Sequence, residues 1–128
     1  MMRRIVTIKY GNGETVKKDT IWDAATYLIR KLIEKEEINS EEEFNEYFRD
    51  VRPRNLIISD AEYRIQKEDC PVGVFHHIRY EEEPTCIGGT KYHIYTEWGV
   101  EGPIPNFSLL AEIAEERLEC KISVEDRR

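Results

Sequence analysis

Residues 4–17 have the sequence RIVTIKYGNGETVK, and this stretch indicates how the fold begins. Its first seven residues alternate around β-branched side chains, as a half-buried strand does. Residues 11–13 tolerate the positive φ that a tight turn needs. A second short strand follows at residues 14–17. The stretch therefore predicts an N-terminal β-hairpin.

A helix is predicted directly after the hairpin. Asp19 or Thr20 can cap its first turn, and its apolar residues recur at spacings of three and four up to about Glu37. These apolar residues are Trp22, Ala25, Ile29 and Leu32. In this order of elements, residues 4–38 resemble the opening of a ubiquitin-like β-grasp fold, with Asp19-Thr20-Ile21 as the helix entry. The resemblance implies a β-grasp-like N-terminal part. It implies no conjugation, because residues 125–128 lack a diglycine.

A second helix is predicted to follow the first. Ser40 and Glu43 have the spacing of a capping box, in which side chains of the first turn bond to free backbone N–H groups. Pro53 is expected to end this helix. The residues expected on its buried face are Phe44, Tyr47, Phe48 and Val51.

Short strands and one more helix are predicted in the rest of the chain. Strands are expected at residues 56–58, 63–65, 72–80, 90–98 and 120–124. Gly88-Gly89 can form the turn that joins the two longest of these strands. The last helix is expected near residues 107–119. This order predicts a single α+β domain over residues 1–128, with a largely antiparallel sheet.

The composition excludes several classes of protein. The chain has 128 residues, of which 40% are hydrophobic, enough for one core. It carries 19 Lys and Arg against 26 Asp and Glu, a net charge of -7. We expect no direct binding to duplex nucleic acid, because such binding depends on neutralising phosphates. No apolar run approaches the roughly 20 residues of a membrane span, so no membrane association is expected.

The cysteine content predicts the compartment. Cys70, Cys86 and Cys120 are an odd number of cysteines without the spacing of a disulfide framework. We expect all three to be free thiols in a reducing compartment. No signal peptide is visible, so the predicted location is the cytoplasm.

Most Cys and His residues are clustered in one segment, which contains Cys70, His76, His77, Cys86 and His93. Zinc sites use closely spaced ligand pairs, and this segment has none with the required spacing. A Cys86 thiolate with a histidine base is a second interpretation, but the known loops for nucleophilic or phosphate chemistry are absent. We therefore predict a structural role, with no catalytic residue, metal or cofactor. A small enzyme or a metal-binding domain that uses residues 70–93 remains the alternative.

Four aromatic residues suggest a third possibility, a pocket for a small ligand. They are Tyr80, Tyr92, Tyr95 and Trp98, and all lie on or beside the predicted strands.

Charge is segregated along the chain. Residues 1–33 carry a net charge of +4, whereas residues 34–46 carry seven acids against Lys35 alone, a net charge of -6. We call these seven acids the acidic knob: Glu34, Glu36, Glu37, Glu41, Glu42, Glu43 and Glu46. Three arginines around Pro53 form what we call the basic island: Arg49, Arg52 and Arg54. A dense acidic surface steers cationic partners, although charge runs at helix ends are also common as solvated surface.

The sequence predicts a small acidic binding protein of the cytoplasm that docks onto a basic surface of another macromolecule. A protein that binds nucleic acid is one example of such a partner. Inhibitors, immunity proteins and antitoxins of mobile elements are examples of this class, by analogy. The candidate partner-binding residues are Glu36, Glu37, Glu41, Glu42, Glu43, Glu46, Arg49, Arg52 and Arg54.

Overall fold

The computed structural model describes residues 3–69, 79–100 and 105–127 of the chain. Four helices and six strands lie in these ranges, in an α+β arrangement. In chain order the elements are β1 (Arg3–Tyr10), β2 (Thr15–Lys18), α1 (Ile21–Lys35), α2 (Glu41–Tyr47), β3 (Ile57–Ser59), α3 (Asp60–Glu68), β4 (Thr85–Ile87), β5 (Thr90–Ile94), α4 (Phe107–Arg117) and β6 (Cys120–Arg127).

The strands form two small antiparallel sheets. Sheet A has the order β2-β1-β6, and sheet B has the order β3-β5-β4. The predicted N-terminal hairpin is present as β1 and β2. The predicted terminal strand is present as β6, which pairs with β1 along eight residues and so makes β1 the central strand of sheet A.

One hydrophobic cluster contains residues from both sheets and from the helices between them. Val6 and Ile8 reach it from β1, and Ile87 and Ile94 reach it from sheet B; all four are almost fully buried. Helix α1 contributes the largest share, because its apolar stripe is continuous. The buried residues of that stripe include Ala24, Ala25, Leu28, Ile29 and Leu32.

Helix α1 begins where the sequence predicts. Thr20 is the N-cap, and its side chain accepts a hydrogen bond from the Asp23 backbone N–H. Trp22 departs from the predicted buried stripe, since 41% of it is exposed. It lies in the first turn of the helix, whereas Ala25, Ile29 and Leu32 are fully buried.

Three other predicted elements differ from those in the structure. Residues 63–65, predicted as a strand, lie inside α3, because Ser59 caps this helix by accepting from the Glu62 backbone N–H. The second helix ends at Tyr47, before Pro53 can act. Gly88-Gly89 does form a hairpin turn, but its first strand is the short β4. The predicted strand at 72–80 lies outside the described residues except for its last two.

Candidate functional site

Four of the seven acids of the acidic knob lie on α2, which is firmly anchored. Ser40 caps α2 by accepting a hydrogen bond from the Glu43 backbone N–H at 3.1 Å. On the opposite side of the helix, Phe44 and Phe48 are fully buried, with ring centroids 4.6 Å apart. The predicted capping signal and the predicted buried face are thus both present. They fix the side of α2 that faces solvent.

That solvent side carries the carboxylates. Glu41, Glu42, Glu43 and Glu46 are all exposed. Glu46 forms an ion pair with Arg49 at 3.4 Å, but both side chains are mostly exposed, so the pair contributes little to stability. In the described part of the chain, Glu41 and Glu42 form no ion pair with any cation. The side chains of Glu41 and Glu42 therefore face solvent.

Glu37 extends the acidic surface toward α1. It is exposed and has a φ of 52°, in the left-handed region. The backbone N–H of Ile38 bonds back to the Ile33 carbonyl at 3.0 Å, as in a Schellman motif, which ends a helix with a left-handed residue. The Glu37 side chain therefore stands at the sharp turn between α1 and α2.

Glu36 has a structural role. Its two carboxylate oxygens accept from Nε and Nη2 of Arg117 at 2.7 and 2.9 Å. This bidentate bond lowers the pKa of the Glu36 carboxyl, and it ties the end of α1 to the end of α4. Of the predicted site residues, Glu36 is therefore already paired within the chain.

The arginines of the basic island lie in three different environments. Arg49 is paired with Glu46, whereas the guanidinium of Arg52 lies over the ring of Tyr95, 3.8 Å from its centroid. Arg54 is exposed. Of the three arginines, one is therefore ion-paired, one packs on an aromatic ring and one faces solvent.

A groove of about 510 Å³ lies at the α1 end of the knob, between the end of α1 and β4. Its acidic side chains are Glu34 and Glu37, and its cation is Arg30. The Nε of Arg30 donates to the Thr85 hydroxyl at 2.8 Å, so the guanidinium is held against sheet B. The exposed Cys86 also lines this groove. The acidic surface therefore continues from α2 into a shallow depression.

His93 is the one described histidine of the Cys/His segment, and only 2% of it is exposed. Its Nδ1 lies 2.7 Å from the Glu81 carbonyl oxygen, and its Nε2 lies 2.8 Å from Oδ1 of Asp60. Both partners are acceptors, so both bonds form together only when both ring nitrogens carry hydrogen. The Tyr63 ring stacks on the imidazole at 3.8 Å.

This contact set makes His93 a packing element between sheet B and α3. Because both of its nitrogens are already bonded, it is not free to act as a base for Cys86. Cys70, His76 and His77 lie outside the described residues. Within the described ranges, no group of three or more His, Cys, Asp or Glu side chains is arranged to hold a metal ion.

No local pattern in the sequence predicts the pair formed by His93 and Asp60. The two residues are 33 positions apart, and residues 63–65 of the helix that carries Asp60 have a strand-like pattern. The one local signal was Ser59-x-x-Glu62, which has the spacing of a capping box.

The predicted aromatic pocket is partly filled by its own side chains. Tyr80 and Tyr95 pack edge to face, with ring centroids 5.4 Å apart. The hydroxyl of Tyr80 donates to the Asn55 carbonyl, and Nε1 of Trp98 donates to the Tyr95 carbonyl, each at 2.8 Å. Their polar groups are therefore used within the fold.

The two described cysteines differ in environment, which predicts different reactivity. Cys86 is exposed, whereas Cys120 is buried and its pKa is raised by that burial. In a Cys70→Ser variant, we expect a thiol reagent to label Cys86 at least about tenfold faster than Cys120 in the folded protein. Additional Cys86→Ala substitution should remove the fast phase, and unfolding in denaturant should expose Cys120. Equal labelling rates in the folded state would contradict this assignment.

Comparison with family models, with curated proteins and with solved structures gives no match. None of the four helices that the structure describes has the length and apolar character that a membrane span needs.

Proposed function

We propose that the protein is a small acidic binding protein that docks onto a basic surface of a partner macromolecule through the acidic knob. One observation carries the proposal. Glu41 and Glu42 are exposed and form no ion pair within the described residues, while the same helix is anchored from behind by Phe44 and Phe48. A rigid scaffold with unpaired charge favours recognition.

The energetic cost of the knob supports the same proposal. Seven acids within thirteen residues repel one another. The fold neutralises Glu36 through Arg117 and places Arg49 beside Glu46. A cationic partner offsets the remaining repulsion, which involves Glu37, Glu41 and Glu42 among others.

The partner we propose is a protein with a basic surface, such as a protein that binds nucleic acid. We place the encounter in the cytoplasm, since the cysteine content suits a reducing compartment. Inhibitors, immunity proteins and antitoxins of mobile elements are our preferred class. This choice rests on analogy of size and charge.

Reversing Glu41, Glu42 and Glu46 to lysine is expected to slow association with the partner by about tenfold or more at low salt, with a smaller change in dissociation. Exposed charges act mainly by steering the encounter. The substitution spares Glu43, whose carboxylate accepts from the Ser40 hydroxyl at 3.4 Å. Removing acids from the first turn of α2 should weaken the helix by only a few tenths of a kcal/mol per residue.

The matched control reverses three other exposed acids, Glu82, Glu97 and Glu112, for the same change in net charge. Partners are first captured from the native host with the wild-type protein, and binding rates are then measured for all three proteins across a salt series. We expect the knob variant alone to lose most of the salt-dependent association rate. Equal rates for the two triple variants would mean that only net charge matters, which contradicts a docking role for the knob.

A further inference from the structure

Strand β6 forms an edge of sheet A, and in the described part of the chain no strand pairs with its outer side. The direction of its backbone groups follows from the register. The Gly11 N–H bonds to the Glu119 carbonyl at 3.1 Å, in line with the register of β1 and β6, so the odd-numbered residues of β6 face β1. The even-numbered residues, including Ile122 and Val124, therefore direct their N–H and C=O groups outward.

One outward donor already has a substitute partner. The backbone N–H of Ile122 donates to a carboxylate oxygen of Glu115, at 2.9 Å, where the carbonyl of a further strand would otherwise lie. An edge of eight residues with outward polar groups is a template for a further strand.

The sequence of this edge is complementary to itself in antiparallel orientation. When two copies of residues 121–125 (KISVE) are paired about Ser123, Lys121 of each copy faces Glu125 of the other. Ile122 then faces Val124, and both are outward-bonding residues, as the antiparallel ladder requires. Shifting the pairing of the two strands by one residue would lose both the Lys121–Glu125 pair and the Ile122–Val124 pair.

The charges of sheet A favour the same occupant. Lys9 and Lys121 lie directly opposite each other on β1 and β6, and both are exposed. Like charges at such a position are destabilising. A second copy would add Glu125 to this row, next to Lys121. The row would then contain an acid beside its two cations.

We propose that a second copy of this chain pairs with β6 across a twofold axis at Ser123, so that two copies of sheet A join into one six-stranded antiparallel sheet. Glu115 is released from Ile122 when the new strand arrives. The interface is isologous, so it closes at a dimer and leaves the acidic knob of each copy unused.

The test measures mass by sedimentation from about 1 µM to about 1 mM protein. We expect a monomer–dimer equilibrium in the wild-type chain. In Val124→Pro, we expect the dissociation constant of the dimer to be at least about tenfold larger. Proline removes the outward N–H of Val124 but no bond to β1, and proline is tolerated on such an edge. Circular dichroism checks that the fold is kept.

A charge-swap series tests the register without proline. Lys121→Glu and Glu125→Lys should each weaken the dimer, because each places like charges opposite one another, and the double variant should restore it. A monomer throughout the concentration range overturns the proposal. So does a dimer that Val124→Pro leaves unchanged, or one in which the double variant is no stronger than the single variants.

Discussion

Replacing Gly88 by alanine is expected to lower the free energy of unfolding by about 3 kcal/mol, through overpacking and a left-handed backbone together. Gly88 has a φ of 58° in the turn between β4 and β5. A Cβ at this position would overlap the backbone carbonyl oxygen of Asn39. Asn39 immediately precedes Ser40, the cap of α2, so the close approach joins the hairpin of sheet B to the base of the acidic knob.

The neighbouring glycine supplies the control. Gly89 also has a positive φ, 83°, but nothing lies within 4 Å of a Cβ built on it. Gly89→Ala should therefore lower the free energy of unfolding by only about 1 kcal/mol, which is the cost of the backbone strain alone. Urea unfolding followed by circular dichroism measures both variants. If the two substitutions cost the same, the contact with Asn39 has no energetic role.

Replacing His93 by alanine is also expected to lower the free energy of unfolding by about 3 kcal/mol near neutral pH. The substitution empties a buried site stacked on Tyr63 and leaves the Glu81 carbonyl and Oδ1 of Asp60 without their donor, while Oδ2 of Asp60 keeps its ion pair with Arg64. His93→Phe is the matched variant, because it keeps a ring against Tyr63 but donates no hydrogen bond. The phenylalanine variant should therefore recover only the part of the lost unfolding free energy that comes from packing.

This cost should depend on pH in the acid range. The hydrogen bond from His93, together with the charge of Arg64, lowers the pKa of the Asp60 carboxyl. A carboxyl whose pKa is lower in the folded state contributes its stability above its unfolded pKa, near pH 4, and loses it as the pH falls through the folded value. The difference in unfolding free energy between wild type and His93→Ala should therefore be full from about pH 5 to neutral pH and should narrow below about pH 4.

Urea unfolding across this pH range provides the measurement, and an Asp60→Asn background provides the control. Without the Asp60 carboxyl, the cost of His93→Ala should no longer change with acid pH. A difference that stays constant down to about pH 2 in the native background would mean that the Asp60–His93 bond is not the source of the stability.

Local signals predicted the elements whose start and buried face are determined by neighbouring residues. Thr20 and Ser40 cap their helices as expected, and the turn at residues 11–13 joins β1 to β2. In each case the decisive contacts lie within a few positions of one another. The exposed acids of α2 followed from the same reasoning, because Phe44 and Phe48 determine which side of the helix is buried.

Long-range contacts could not be predicted in this way. Arg117 pairs with Glu36 across 81 positions, and Arg52 stacks on Tyr95, so these two predicted site residues have partners that lie far away in the sequence. The helix over residues 60–68 was missed because Tyr63-Arg64-Ile65 has strand-like composition. There the Ser59 cap and the packing of Tyr63 on His93 outweigh local propensity.

The pairing of β1 with β6 has a consequence for how the chain folds. Arg4 and Asp126 are hydrogen-bonded although 122 positions separate them, whereas β2 follows β1 after a turn of a few residues. The long separation raises the contact order and the entropy cost of loop closure, so sheet A should be completed late. During synthesis, β1 keeps one edge unpaired until β6 leaves the ribosome, and in that interval the nascent chain is most exposed to aggregation.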